Sequence, residues 1–283
     1  MHESVWAYVR RNPNLLIGLV LLSVLLLFSI VGPLFVDVTN AEPLSVSPEK
    51  PPSLAYPFGT DSQGRDLLAV MVAGTPLTLR IGFLAGLLGL AVGTALGFVS
   101  AYYGGVADNV IRGIIDVSLT IPGLLVLIVV AVFLKQGLTV DQMALIVALL
   151  AWRWPARTIR AQVLSMRERT WVQVARLSGR SGLKIIFLEL MPNLLPFLAA
   201  ALVGAVASAI LASIGLEALG LGPADSPTLG MTIYWVIYYA ALLHGYWWWW
   251  LPPIAIITIL FVGLFNLASG LDEIANPRLR KSV

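Results

Sequence analysis

The chain has 283 residues, 58% of them hydrophobic and only 12% charged, where a soluble domain carries about a quarter charged residues. Its apolar residues come in runs of membrane length, so a large soluble core is excluded and an integral membrane protein is implied. There is no cysteine, which removes disulfides, thiolate nucleophiles and thiolate metal sites together; a net charge of +3 would fit nucleic-acid binding, but the basic residues gather in the loops of one side, so nucleic acid is not an expected partner.

A bilayer core takes about 20 apolar residues per helix. Six segments qualify, at 15–36, 79–103, 114–134, 143–154, 194–216 and 251–271. The first is too long for the core of a signal peptide, and no A-x-A-like cleavage site follows it. The fourth is short and extends toward Arg157. With the N-terminus in the cytoplasm, the inner segments hold Arg10, Arg11, Arg112, Arg153, Arg157, Arg160, Arg167, Arg169, Arg176, Arg180, Lys184, Arg278, Arg280 and Lys281. The outer segments hold only Lys50, Arg65, Arg80 and Lys135. That excess places both termini in the cytoplasm, and an even number of spans requires the same. The expected order is a cytoplasmic segment 1–14, a first span 15–36, an extracytoplasmic loop 37–78, a core 79–271 containing a cytoplasmic loop 157–192, and a cytoplasmic tail 272–283.

The outer loop 37–78 is rich in proline, and its stretch Phe58 to Asp66 has local logic of its own. Asp61 can accept from the N–H groups that follow it as a helix N-cap, Gly64 permits a tight turn, and Arg65 can pair with Asp66 or Asp61. The second span carries Gly82, Gly86, Gly89, Gly93 and Gly97 along one face. Such a row lets a partner helix approach closely, either as packing or as a sliding surface between two halves of a transporter. Tyr246 through Trp250 reads as an aromatic belt at the outer end of the sixth span, in preference to a cation-binding cage. Pro252 and Pro253 then fall in that helix's first turn, where a missing N–H costs little.

The spans are almost free of ionisable residues, which in membranes mark proton relays and ion paths. Asp116 reads as interfacial, and His2 and His244 lie at an end and in an outer loop. No His–Glu metal spacing, Ser–His–Asp set or phosphate-binding G-x-x-x-x-G-K-[ST] loop occurs. The chain is therefore not expected to be an enzyme, to hold a metal or cofactor, or to bind ATP. Energy for any transport must come from another subunit.

The cytoplasmic loop is the most informative stretch. Ile159, Val163, Met166, Val172, Ala175 and Leu177 have helical spacing from 158 to 177. Gly179 and Gly182 break it, and a second short helix, 183–191, runs up to Pro192. This basic, amphipathic helix–turn–helix can rest on anionic lipid or insert into a groove of a soluble partner.

The run Gln173-Val174-Ala175-Arg176-Leu177-Ser178-Gly179, nine residues, then Glu189-Leu190-Met191-Pro192, resembles the E-A-A-x-x-x-G-x9-I-x-L-P loop of bacterial ABC importer permeases. Val174, Glu189 and Met191 depart from it. Phe58-Gly59-Thr60-Asp61-Ser62-Gln63-Gly64-Arg65-Asp66 resembles the F-G-T-D-x-x-G-R-D signature of the C-type subunit of dipeptide/oligopeptide/nickel permeases. Gly74, Leu77 and Gly82 continue that pattern, as do Ala101 to Gly105 with Asp108 and Arg112, Asp116 to Pro122, Leu216 to Gly222, and Gly270 to Arg278. Asp272 and Asn276 depart from the terminal pattern.

This resemblance implies an all-α polytopic permease of the type I ABC importer fold in a bacterial or archaeal plasma membrane. It implies pairing with a second homologous permease, two cytoplasmic ATPase subunits that hold ATP and Mg, and an extracytoplasmic solute-binding protein. Thr170, Trp171, Val172, Gln173, Val174, Ala175, Arg176, Leu177, Ser178 and Gly179 would contact the ATPase, with Arg176 and Arg180 paired to acidic groups on its rim. Pro192 would end the coupling element and start the fifth span. Gly59, Thr60, Asp61, Gly64, Arg65 and Asp66 would either hold the entry to the second span or touch the solute-binding protein. The implied cargo is di- or oligopeptides, with nickel chelates or oligosaccharides as alternatives in the same role. A non-transporting scaffold or sensor with its basic loop on lipid is the reading from a different class.

Overall fold

The computed structural model describes residues 12–134 and 137–275. His2, Arg10, Arg11, Lys135, Asn276, Arg278, Arg280 and Lys281 lie outside the described residues, as do most of the terminal segments expected at 1–14 and 272–283.

Ten helices carry the described chain. The helix α1, Pro13–Val31, starts at Asn12, whose side chain accepts from the Leu15 N–H at 3.0 Å, with proline in the first turn. Next come α2, Leu67–Tyr103, then α3, Gly105–Thr120, and α4, Gly123–Phe133. The short α5 is Val140–Ala151, α6 is Arg153–Arg167 and α7 is Thr170–Leu177. The long α8, Gly182–Glu217, is followed by α9, Leu229–Tyr238, and α10, Trp247–Ala275.

Among the described residues, four helices (α1, α2, α8 and α10) are long and apolar enough to cross a membrane unbroken. The third expected crossing is the α3–α4 pair, bent by 84°. Pro122 lacks an N–H and holds Ile121 extended, which ends α3 there. The fourth expected crossing is α5, whose 12 residues reach only about 18 Å. The chain turns at Trp152 and continues as α6.

The 37 residues of α2 make it the axis of the fold. Its glycine row is filled by helices of the same chain. A Cβ on Gly82 would collide with the Ile210 side chain, and one on Gly86 would fall 2.7 Å from the Val206 nitrogen, both on α8. Cβ atoms on Gly89 and Gly93 would meet Ala151 and Pro155 at 2.5 and 2.7 Å, and one on Gly97 the Arg160 nitrogen at 3.0 Å. The row is thus packing inside one subunit, not a sliding surface between two. A second close crossing joins α1 to α10, where a Cβ on Gly18 would lie 2.5 Å from the Leu267 nitrogen.

Two expectations about helix starts change. The second helix begins at Leu67 rather than 79, because Asp66, not Asp61, caps it by accepting from the Leu68 N–H at 2.9 Å. The last helix begins at Trp247, so Pro252 and Pro253 lie inside it, beyond a first turn built from tryptophan. Trp249 is 1% exposed and its Nε1 donates to the Thr60 carbonyl at 2.9 Å. The tryptophan run is therefore partly internal structure and not simply a belt facing lipid headgroups.

The glycine row yields a direct test. Gly86→Val must push α2 and α8 apart at the backbone and should lower stability by about 1–3 kcal/mol, as overpacking does. Gly113, whose Cβ direction is open, is the control position. Thermal unfolding in mild detergent should show a clear drop for Gly86→Val and little change for Gly113→Val.

Candidate functional site

The cytoplasmic-loop residues fold as α6, α7 and the start of α8. Val172 and Ala175 of α7 are buried against Phe98, Ile159, Val163, Ile185, Ile186 and Leu190. The opposite face of α7 presents Trp171, Val174 and Leu177, which are 37%, 55% and 89% exposed. Their spacing of three places them in one stripe along the helix. An eight-residue helix therefore has two apolar faces, one closed by its own chain and one open. Thr170, Gln173, Arg176 and Ser178 flank that stripe and are also exposed. Gly179 stops the helix. Its φ is +73°, its N–H donates to the Arg176 carbonyl, and the Arg180 N–H donates back to the Ala175 carbonyl at 3.2 Å. That pair of bonds is a Schellman ending, which favours glycine at the left-handed position.

Three residues of this element have settings within the chain that the sequence did not show. Arg180 is paired within the chain, to Glu189, and the Arg176 guanidinium sits 5.1 Å from the Tyr102 ring centroid. Neither is a bare cation awaiting a partner. Pro192 does not separate two helices: α8 is continuous through it. The missing N–H and the ring's pressure on the preceding turn are absorbed by a single π turn, Ile186–Leu190.

Polar clamps fix α6 to its neighbours. Arg160 makes two 2.6 Å bonds to the carboxylate of Asp108 in the first turn of α3, and its Nε also donates to Ser100 Oγ at 3.1 Å. Arg167 Nη1 donates to the Ala101 carbonyl at 2.6 Å. These bonds hold α6 to the inner end of α2 and the start of α3.

In the loop expected to be extracytoplasmic, Gly59, Thr60, Asp61, Gly64, Arg65 and Asp66 are all buried. Asp61 accepts from the N–H groups of Gln63 and Arg65, each at 3.0 Å, and from Arg65 Nε at 2.7 Å. Thr60 Oγ1 donates to the Ser47 carbonyl at 2.8 Å, and the Thr60 carbonyl receives both Trp248 and Trp249. A Cβ at Gly59 would fall 2.5 Å from Trp248 Cδ1. Burial pushes the Asp66 carboxyl upward, against the N–H groups of the helix it caps. The signature is a knot that seats the loop on α2 and α10, and none of its six residues presents a surface to a partner.

Two groups escape sequence reasoning. Glu217, at the outer end of α8, is fully buried. It accepts from Ser213 Oγ, Thr228 Oγ1 and the Met231 N–H, so it caps the first turn of α9 from a distance. An acid closing an otherwise apolar span was the available signal. Arg153, at the first position of α6, reaches the end of α3 and had no signal beyond its charge.

Residues 93–281 match the family described as the binding-protein-dependent transport system inner membrane component. The chain belongs to that family. It is a transport permease subunit with several apolar helices, and hence a multi-pass component of the inner membrane. Residues 3–52 match the N-terminal TM domain of oligopeptide transport permease C. The dipeptide transport system permease protein DppC of Haemophilus influenzae is 31% identical, covering 99% of this chain and 95% of the relative. The oligopeptide transport system permease protein OppC of Bacillus subtilis is 29% identical over 96% of this chain and 88% of its own length. In architecture, the permease is similar to a chain of the MetNI methionine ABC transporter in an inward-facing conformation, with TM-score 0.58 and 18% identity over 76% of this chain and 98% of that chain. This agrees with the all-α type I importer permease fold.

The outer knot predicts a measurable asymmetry. Asp61→Ala leaves the Arg65 cation buried without its partner, which costs about 3–5 kcal/mol. The paired replacement Asp61→Leu with Arg65→Met should be much milder. Protease added to the outer face of spheroplasts should cut the 37–66 loop of the single variant well before that of the double variant or the parent.

Proposed function

We propose that this permease forms half of the translocation pathway of an ATP-driven importer of di- or oligopeptides. The other half is a second homologous permease. Two cytoplasmic ATPase subunits hold ATP and Mg, and an extracytoplasmic solute-binding protein delivers the cargo. The permease itself binds no cofactor. Both termini face the cytoplasm of a bacterial or archaeal cell.

The observation that carries the coupling role is the two-faced helix α7. Its inner face is locked into the permease by Val172 and Ala175, and its outer stripe of Trp171, Val174 and Leu177 is open. A helix anchored on one side and apolar on the other is built to seat in a groove. Salt bridges contribute little at such a rim, so the apolar stripe must supply most of the affinity. When ATP closes the ATPase pair, a helix held in each groove moves with it, and the permease repacks between two states. The peptide cargo is supported by the names and extensive coverage of the relatives. The spans hold few ionisable residues, so selectivity rests with the solute-binding protein.

The test is co-purification in mild detergent with the transporter's own ATPases. Val174→Asp with Leu177→Asp places two charges on the docking stripe and leaves the buried face untouched. We expect at least about a thirtyfold loss of bound ATPase, the scale of an interface hot spot of roughly 2 kcal/mol, with the second permease retained. Retention of the ATPases would remove α7 as the docking element and favour a helix pair resting on lipid. Radiolabelled dipeptide uptake by reconstituted complexes tests the cargo separately.

A further inference from the structure

We propose that Arg153 is a positioning residue that makes α6 a two-point grip on α3, so that α6 and α3 move as one body and the α3–α4 elbow is where that motion becomes a change in the pathway. The inference rests on the coupling role of α7 given above and adds the route by which its motion leaves the docking site.

At the elbow, the N–H that would pair with the Ser118 carbonyl belongs to Pro122 and is missing, and away from water such a carbonyl is costly unless something else donates to it. Arg153 does so. Its Nη1 donates to the Ser118 carbonyl at 2.7 Å and contacts the Ile121 carbonyl at 3.4 Å. Its Nε donates to the Leu150 carbonyl, in the last turn of α5, at 3.0 Å. One guanidinium thus caps two helix C-termini, where the helix dipoles favour a cation. Gly123 supplies a second, independent sign of the fit. A Cβ on it would meet Arg153 Nη2, so any side chain at the first residue of α4 would displace the guanidinium from its place.

The other end of α3 is held by Arg160 through Asp108. Arg153 and Arg160 are seven residues apart, two turns, and so lie on one face of α6. The body of α3 is otherwise little buried, with Ile115 its one buried residue and Val110, Ile114, Val117 and Ile121 exposed, while its first turn also meets α2, where Ser100 Oγ donates to the Asp108 carboxylate. Two arginines on the helix that leads directly into α7 therefore hold α3 near both ends. Beyond the second grip, the chain bends by 84° into α4.

The absence of native cysteine makes the test clean. Spin labels at Gly113→Cys on α3 and Ser165→Cys on α6 report the distance across the grip. In the full complex, we expect one narrow distribution that is the same with and without trapped ATP. Arg153→Met should broaden it, and so should Gly123→Ala, which displaces the guanidinium while keeping the arginine. Arg153→Lys, with one donor group on a flexible stem, should restore it in part. In proteoliposomes, uptake per ATP hydrolysed should fall at least about tenfold in Arg153→Met and Gly123→Ala with ATP hydrolysis retained, a split that mere loss of folded protein would not give. An unchanged distribution in both variants, an ATP-dependent distance in the parent, or uptake and hydrolysis falling in proportion would overturn the grip. The labels also read the solubilised full chain alone, so a failure of the proposed assembly with ATPases is distinguished from a failure of the grip.

Discussion

Within a bilayer, an apolar side chain gains little by exchanging lipid for protein, so helices hold together where backbones approach closely and polar groups meet across the gap. In this permease, that approach runs along α2. Its glycines admit α8 on the outer half and α5 and α6 on the inner half, so three further helices are referred to one axis. Because the contacts are backbone to backbone, they tolerate little change in spacing. Elements that lack such a seam are held otherwise: α3 by polar clamps at its ends, and α4 by an apolar cluster in which Leu127 meets α2, α5 and α8.

That division has a functional consequence. The outer cap is rigid for three reasons: its signature residues are buried, Gly59 sits against Trp248, and one Thr60 carbonyl accepts from two indoles of α10. The inner side is built differently. There α7 is short and closed on one face only, by an apolar cluster, while the preceding α6 holds α3 through guanidinium groups with long side chains. A long side chain can swing while keeping its bonds, whereas a glycine contact cannot. The link from α6 to α3 is thus of the more compliant kind, while α6 itself is seated on the glycine seam of α2.

Much of this was legible in the sequence, because the rules that apply in lipid are local. Runs of apolar residues marked the long helices, the small-residue spacing marked the seam, and the apolar spacing of Val172 and Ala175 marked an amphipathic helix, although Leu177, counted with them, lies on the opposite face. The errors came where a distant group decided the outcome. A belt of tryptophans is a sound local inference, yet Trp249 is claimed by a carbonyl 189 residues earlier. Asp61 has the local look of a helix cap, but the helix waits for Asp66. The third span was read as one run from 114 to 134, yet Pro122 ends α3 and the chain bends there by 84°. Arg180 looked free until Glu189 was brought back to it by the Schellman turn at Gly179.

Displacement of α7 has two ways out of the cluster that buries it. One is the preceding α6, whose arginines carry α3. The other is α8, which starts within the same cluster at Ile185 and Ile186 and runs on to the outer face. Its 36 residues span about 54 Å. At its far end, Glu217 joins it to the first turn of α9 through bonds that no water competes for. A shift of α8 along its axis must therefore either carry α9 with it or break a buried carboxyl from its donors, and the second costs far more. On the proposed coupling role, one input at α7 would reach two outputs, the α3–α4 elbow and the capped start of α9 at the far end of α8, with the glycine seam of α2 between them.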